Sequence, residues 1–288
     1  TQAYTELFPN ATLQFNEDDN HQYSINYKRG IQRPRYQSLN PYRYFLNENQ
    51  FDAGNPELTR AIENKISFDF TYKGTYIFSA YYQHFNNNLE QLTFQDNANR
   101  LLLTSDFNID QTFQYSLDFT YYSYVKDWWF VSTYMSGFYL QNNFTGLQSD
   151  NTDEQNNTNG YFAQLFNQYT LSQKGALYFD ASAYYLSNFV FGSFDYKNQF
   201  GLDLGLTKSF AKKRATVTLN ITDVFNTMNI PLTSRYANQD NGFFSKPESR
   251  TVSFALRYKF GNFRLSDNNR ETKPAEQERF EKKKSFRP

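Results

Sequence analysis

Four aspartates stand near the middle of segments that alternate apolar and polar residues. They are Asp69 in ISFDFTYK (66–73), Asp118 in FQYSLDFTY (113–121), Asp180 in LYFDASAYY (177–185) and Asp203 in FGLDLGLTK (200–208). Carboxylates so placed either line a substrate path as hydrogen-bond acceptors or are solvated positions on a wet wall. Arg257 and Lys259 alternate onto the polar side of TVSFALRYKF (251–260), in a position to pair with carboxylates across neighbouring strands. A second concentration is QRPRYQSLNPYRYF (32–45), which sets Arg33, Arg35 and Arg43 among Tyr36, Tyr42, Tyr44 and Phe45. Guanidinium forks and ring faces together suit a carbohydrate or an anionic chelate. Arg33, Arg35, Tyr36, Arg43 and Tyr44 are therefore candidates for ligand contact. The competing reading is that Pro34 and Pro41 merely stiffen a loop.

No catalytic grouping accompanies these residues. The chain holds two His and no Cys, which argues against a zinc, iron–sulfur or thiol site. His21 adjoins one turn and His84 lies near the far end of another strand, so they are not partners. The acidic stretch SDNTDEQNNTNG (149–160) lacks the Gly and bidentate Glu spacing of a calcium loop and reads as a mobile hydrophilic loop. Formal charge is balanced, 29 basic against 29 acidic residues, so no nucleic-acid partner is implied. The expectation is a non-enzyme without cofactor or metal.

The elements that carry these residues are strands. With 31 Phe and 24 Tyr yet a mean hydropathy of −0.78, the apolar residues are spread singly among polar ones. Period-2 spacing recurs along the chain, and no apolar run reaches the 18 residues of a membrane helix. NPELTRAIEN (55–64) could form two helical turns in a loop. Short connections (16–20, 73–74, 123–128, 172–175, 210–214) alternate with long ones (30–62, roughly 86–111 including some extended structure, 141–160, 188–197, 222–248). All short turns then lie at one end of the sheet and all long loops at the other, as in an outer-membrane barrel and unlike a Greek-key sandwich.

The interleaved residues are mostly Ser, Thr, Asn, Gln, Asp and Gly, which suits a wet lumen. Tyr72, Tyr121, Tyr122, Trp128, Trp129, Phe138 and Tyr139 at strand ends suit interfacial girdles. Leu204 is placed at mid-membrane facing lipid and Gly205 facing the lumen. The predicted fold is all-β, an antiparallel up-and-down transmembrane barrel over residues 1–260 with about 11–12 strands present. An odd count of eleven, beginning at the outer surface, predicts a further strand upstream and a larger parent barrel.

Five segments now become informative together. LFPN (7–10), RPRYQSLNP (33–41) and GNPEL (54–58) occur in order around one long loop, DVFN (223–226) opens another, and SFALRYKFGN (253–262) closes the strands. The chain resembles the C-terminal barrel portion of TonB-dependent receptors and related outer-membrane barrels in their Bacteroidota form. That resemblance implies about 22 strands in the parent and a location in the bacterial outer membrane. It also implies uptake of a large nutrient (glycan, chelate or peptide) energised by an inner-membrane complex acting through an N-terminal part not included here. Lipid is one implied partner. The barrel-assembly machinery is another, reading Tyr258 and Phe260 on the closing strand as its signal. The tail, residues 261–288, has 13 charged residues and reads as a disordered periplasmic tether. The alternatives are a plug-less porin or surface adhesin, and a soluble β-protein.

Overall fold

The computed structural model describes residues 5–147 and 149–261. In chain order the elements begin with β1 (Asn10–Asn16), β2 (His21–Gln32), a helical turn α1 (Tyr36–Leu39), β3 (Arg43–Asn47), β4 (Gln50–Ala53) and β5 (Ala61–Tyr72). Four long strands follow: β6 (Tyr76–Asp96), β7 (Leu101–Lys126), β8 (Trp129–Gly146) and β9 (Thr152–Ser172). The remainder are β10 (Leu177–Leu186), β11 (Phe189–Phe191), β12 (Phe194–Tyr196), β13 (Gln199–Phe210), β14 (Ala215–Thr222), β15 (Ile230–Tyr236), β16 (Gln239–Ser245) and β17 (Thr251–Tyr258).

One antiparallel sheet runs β1-β2-β5-β6-β7-β8-β9-β10-β13-β14-β17, with the β3–β4 hairpin attached to β7 through a short parallel pairing. Eleven strands in chain order is the meander expected from the alternating loops. The tight turn at Lys73–Gly74 shows why one end is compact. Both residues have positive φ, 53° and 59°, and Thr75 N–H closes onto Tyr72 C=O at 3.1 Å. That is the mirror-image turn whose twist matches flanking strands.

The sheet's two faces are chemically opposite. Register aligns Tyr23, Phe70, Phe78, Phe119 and Met135 in one row across five strands. The next row holds Ile25, Phe68, Ala80, Leu117 and Gly137, and this face is open: Leu117 is 71% and Phe254 70% exposed. Ser116 and Thr112, on the opposite side of the same strand, are buried. An exposed apolar face backed by a sheltered polar one is the reverse of a soluble barrel and fits a wall facing hydrocarbon. Rows of tyrosines in tilted ring contact border it at Tyr72, Tyr76 and Tyr121 on one side and at Tyr82, Tyr115 and Tyr139 on the other. Tyr122 and Phe138, expected in the girdles, instead alternate onto the polar face, where the Phe138 ring covers Gly160.

Every residue of β1 and β17 is exposed, and among the described residues nothing pairs with their outer edges. Free strand edges are untenable in lipid, so this sheet is part of a larger closed wall. No helix among the described residues is long and apolar enough to cross a membrane.

The outer end differs from expectation. Residues 86–111 and 141–160 are mostly strand, the extended structure expected in the first running on through nearly its whole length, with turns at 97–100 and 149–151. β6 and β7 stay paired from Tyr76↔Tyr121 out to Asp96↔Leu101, and β8 and β9 out to Gly146↔Thr152. The acidic stretch is therefore strand from Thr152 onward rather than a mobile loop. Its polar composition reflects residues beyond the membrane, where neither face meets lipid. Residues 55–64 form a turn and the start of β5, and the one helical turn lies at Tyr36–Leu39 instead.

The β6–β7 ladder skips one pair at Asn87, whose φ is +54°, without a change of register. Asn108 Nδ2 holds this position by donating to the carbonyls of Asn87 at 2.8 Å and Thr59 at 3.1 Å. Nearby, Leu92, Phe94 and Ile109 bury themselves with Phe144 and meet Tyr236. A second small sheet, β11-β12-β15-β16, packs beside this core.

Candidate functional site

Two motif segments build the outer loop by bonding to each other. Gly54 N–H donates to Asn40 C=O at 3.1 Å and Asn55 N–H to Ser38 C=O at 2.6 Å. A β-carbon on Gly54 would stand 2.3 Å from that Asn40 oxygen, so only glycine fits. Asn55 Nδ2 then anchors the loop to Asp106 C=O of β7 at 3.3 Å.

This arrangement brings together some of the expected ligand-facing residues and separates others. Arg33 and Arg35 line a cavity of about 530 Å³ whose opposite wall is the β6–β7 arm with Asn88, Glu90 and Asp106. Arg35 and Tyr44 line a neighbouring cavity of about 450 Å³, with Asp52 and again Asp106. Arg33 and Arg35 form no ion pair with any described residue. Arg43 is otherwise engaged: its guanidinium lies 4.9 Å over the ring of buried Phe51. Tyr36 projects outward, 94% exposed, and lines neither cavity.

Glu90, Asn88 and Asp106 were not among the sequence candidates, because nothing local in the polar stretch 86–111 marks which side chains the fold buries. Glu90 is 8% exposed. Its Oε1 accepts from Asn88 Nδ2 at 2.7 Å, which also donates to Thr112 Oγ1, and that hydroxyl donates to Asn142 Oδ1. Its Oε2 has no partner. Burial pushes this carboxyl up to about 7, with the Asn88 bond opposing and Asp106 adding to the rise.

The five polar-face residues share one side of the sheet but fall into separate groups. Asp69 and Asp118 occupy one row, bridged by Ser79. Asp69 accepts from Ser79 Oγ at 2.6 Å and Asn26 Nδ2 at 3.1 Å, and Asp118 accepts from Ser116 Oγ at 2.5 Å. Asp180, opposite Gly205, accepts from Gln168 Nε2 at 2.9 Å. Asp203 lies diagonally across and accepts from Asp223 N–H at 2.8 Å. Arg257 stands opposite Thr216 and makes no ion pair among the described residues, contrary to the expected cross-strand pairing.

At the DVFN motif, Asp223 gathers both ends of the last long connection. It accepts from Thr227 N–H, Thr227 Oγ1, Met228 N–H and Ser249 Oγ. Burial raises its carboxyl, but these four bonds outweigh it and hold it at about 2.

On the closing strand, Tyr258 pairs opposite Ala215 on the apolar face, and the strand ends there rather than at residue 260. Lys259 N–H still bonds Arg214 C=O, and Phe260 packs edge-on at 4.6 Å from Tyr258 while 83% exposed. The tail from residue 262 lies outside the described residues.

A family model, described as the outer membrane protein beta-barrel family, matches residues 1–258. The chain belongs to that family. It is thus barrel wall of the bacterial outer membrane and not an enzyme. No curated protein sequence matches. Among solved structures, the ferric enterobactin receptor of Pseudomonas aeruginosa bound to enterobactin aligns with a TM-score of 0.55 at 12% identity, over 88% of this chain and 40% of that one. The ferric-catecholate import receptor of E. coli K12 aligns at 0.55 and 12%, over 87% and 34%. The FrpB iron transporter of Neisseria meningitidis aligns at 0.54 and 15%, over 88% and 39%. The family's member described here therefore has the barrel fold of TonB-dependent receptors and spans less than half the length of these structures.

Proposed function

We propose that this chain is the C-terminal barrel segment of an outer-membrane receptor importing a large nutrient of glycan, chelate or peptide class. In this reading the outer loop captures the ligand, and the inner-membrane energy-coupling complex acts through the part of the parent protein outside this chain. The supporting observation is the pair of cavities at the outer mouth, where Arg33 and Arg35 stand without ion-pair partners on the rim of a receptor-like wall. Asp69, Asp118, Asp180, Asp203 and Arg257 line the path below, and Tyr258 with Phe260 serves the barrel-assembly machinery.

The test uses the intact parent protein in its own cells with fluorescent oligosaccharide, ferric-chelate and peptide probes, with and without a protonophore. Uptake of one class, abolished by the protonophore and reduced by Arg33→Ala with Arg35→Ala, is expected. Uptake that survives the protonophore would make the barrel a passive pore.

A further inference from the structure

The 530 Å³ cavity has walls of opposite charge. The loop wall contributes Arg33 and Arg35, the arm wall Glu90 and Asp106. No ion pair joins the two walls. Opposite charges lining one cavity ordinarily attract, and leaving them unpaired, with Arg33 and Arg35 exposed to solvent, keeps both sets open to a third party. Between them the lining turns apolar at Leu58, Leu140 and Phe191.

A polyanion would satisfy the arginines but would face two carboxylates. A neutral polyol would leave four charged groups with only hydrogen-bonding partners. A ligand with a cationic end, an anionic end and a modest apolar middle meets every wall. The buried, unpartnered Oε2 of Glu90 marks where the cation belongs: burial alone favours its protonated form, and an ammonium beside it would restore the carboxylate.

We propose that this cavity binds a zwitterionic peptide, its free ammonium directed to Glu90 and Asp106 and its carboxylate to Arg33 and Arg35. The proposal rests on the outer loop being the capture site, and it selects the peptide class from the three that reading allows. A cavity of this volume lies within the ordinary range for small ligands.

The test is calorimetric titration of the intact receptor with tetra-alanine, its N-acetylated form and its C-amidated form. Free tetra-alanine binds, and blocking either end weakens binding about tenfold or more, the loss expected for one charge-assisted bond. Glu90→Gln weakens the free peptide but not the acetylated one, and Arg35→Gln weakens the free peptide but not the amidated one. Equal binding of free and blocked peptides, or no binding of the free peptide, overturns the proposal. The capture reading is judged separately by the uptake experiment above. If Arg33→Ala with Arg35→Ala stops import of an oligosaccharide or chelate while tetra-alanine fails to bind, the receptor stands and the peptide falls. If tetra-alanine binds but no probe is imported with energy, the peptide site stands and the receptor falls.

Discussion

Gln95 and Gln239, 144 residues apart, are joined by a double hydrogen bond between one side chain and one stretch of backbone. The Gln239 amide oxygen accepts from Gln95 N–H at 2.5 Å, and its Nε2 donates to Gln95 C=O at 3.0 Å. The side chain thereby occupies the place of a neighbouring strand on β6. Tyr236 OH adds a bond to Thr93 C=O at 3.1 Å, and its ring meets Phe144 edge-on. β6 and the β15–β16 hairpin belong to different sheets, so this contact ties the small sheet to the β6–β7 arm.

Replacing Gln239 with Ala strips both partners from Gln95 and should cost about 2 kcal/mol locally. Amide exchange at residues 93–95 should accelerate correspondingly while the strand centres stay protected. Absence of this effect would dismiss the bridge.

Leu204 lies opposite Ala181 and Ile221 on the apolar face, while Gly205 lies opposite Asp180 and Asn220 on the polar one. Leu204→Arg should destabilise the barrel by about 2–4 kcal/mol in lipid unfolding experiments. Gly205→Arg points toward Asp180 and should cost clearly less. Equal losses would contradict the assignment of faces.

Asp223 is held below the ordinary 3.8, at about 2, so its stabilising effect is complete above the ordinary value. It is lost as pH falls from about 4 toward about 2. Protease cleavage within residues 223–250 should rise steeply across that window. Asp223→Ala should show the same susceptibility already at pH 7, at a cost of about 3 kcal/mol.

Glu90 behaves in the opposite sense. Its carboxyl titrates near 7 rather than the ordinary 4.5, so the folded arm holds a proton that the unfolded chain has lost. Arm stability should therefore fall as pH rises from about 4.5 to about 7 and level off above that. Cleavage at the 97–100 turn should increase from pH 5 to pH 7, and Glu90→Gln should flatten that rise. A pH-independent wild type would show that the carboxyl is not strained by burial.

Phe260 is almost fully exposed, so Phe260→Ala should leave folded stability within about 0.5 kcal/mol. Membrane assembly in cells should nevertheless drop if the assembly machinery reads this ring. Full assembly of the variant would reduce Phe260 to an interfacial aromatic.

Much of the wall was legible from residue order. Alternation placed Asp69, Asp118, Asp180 and Asp203 on one face and Leu204 on the other, because side chains of a strand point to opposite sides at a period of two. Loop lengths separated the two ends. The site was legible only in part. Arg33, Arg35 and Tyr44 border the cavities, but Arg43 is taken by Phe51, a pairing that depends on how the β3–β4 hairpin closes.

What the order of residues determined by itself is the strand meander, its lipid-facing side and its short-turn end, since each follows from local periodicity and turn chemistry. The tertiary structure alone decided that the β6–β7 pairing runs unbroken in register out to Asp96↔Leu101 and buries Glu90 in the lining of the cavity that Arg33 and Arg35 share. It alone decided that Gln239 reaches Gln95. Both outcomes rest on contacts between segments far apart in the chain and outside the membrane, where lipid no longer imposes alternation and no local pattern records the partner.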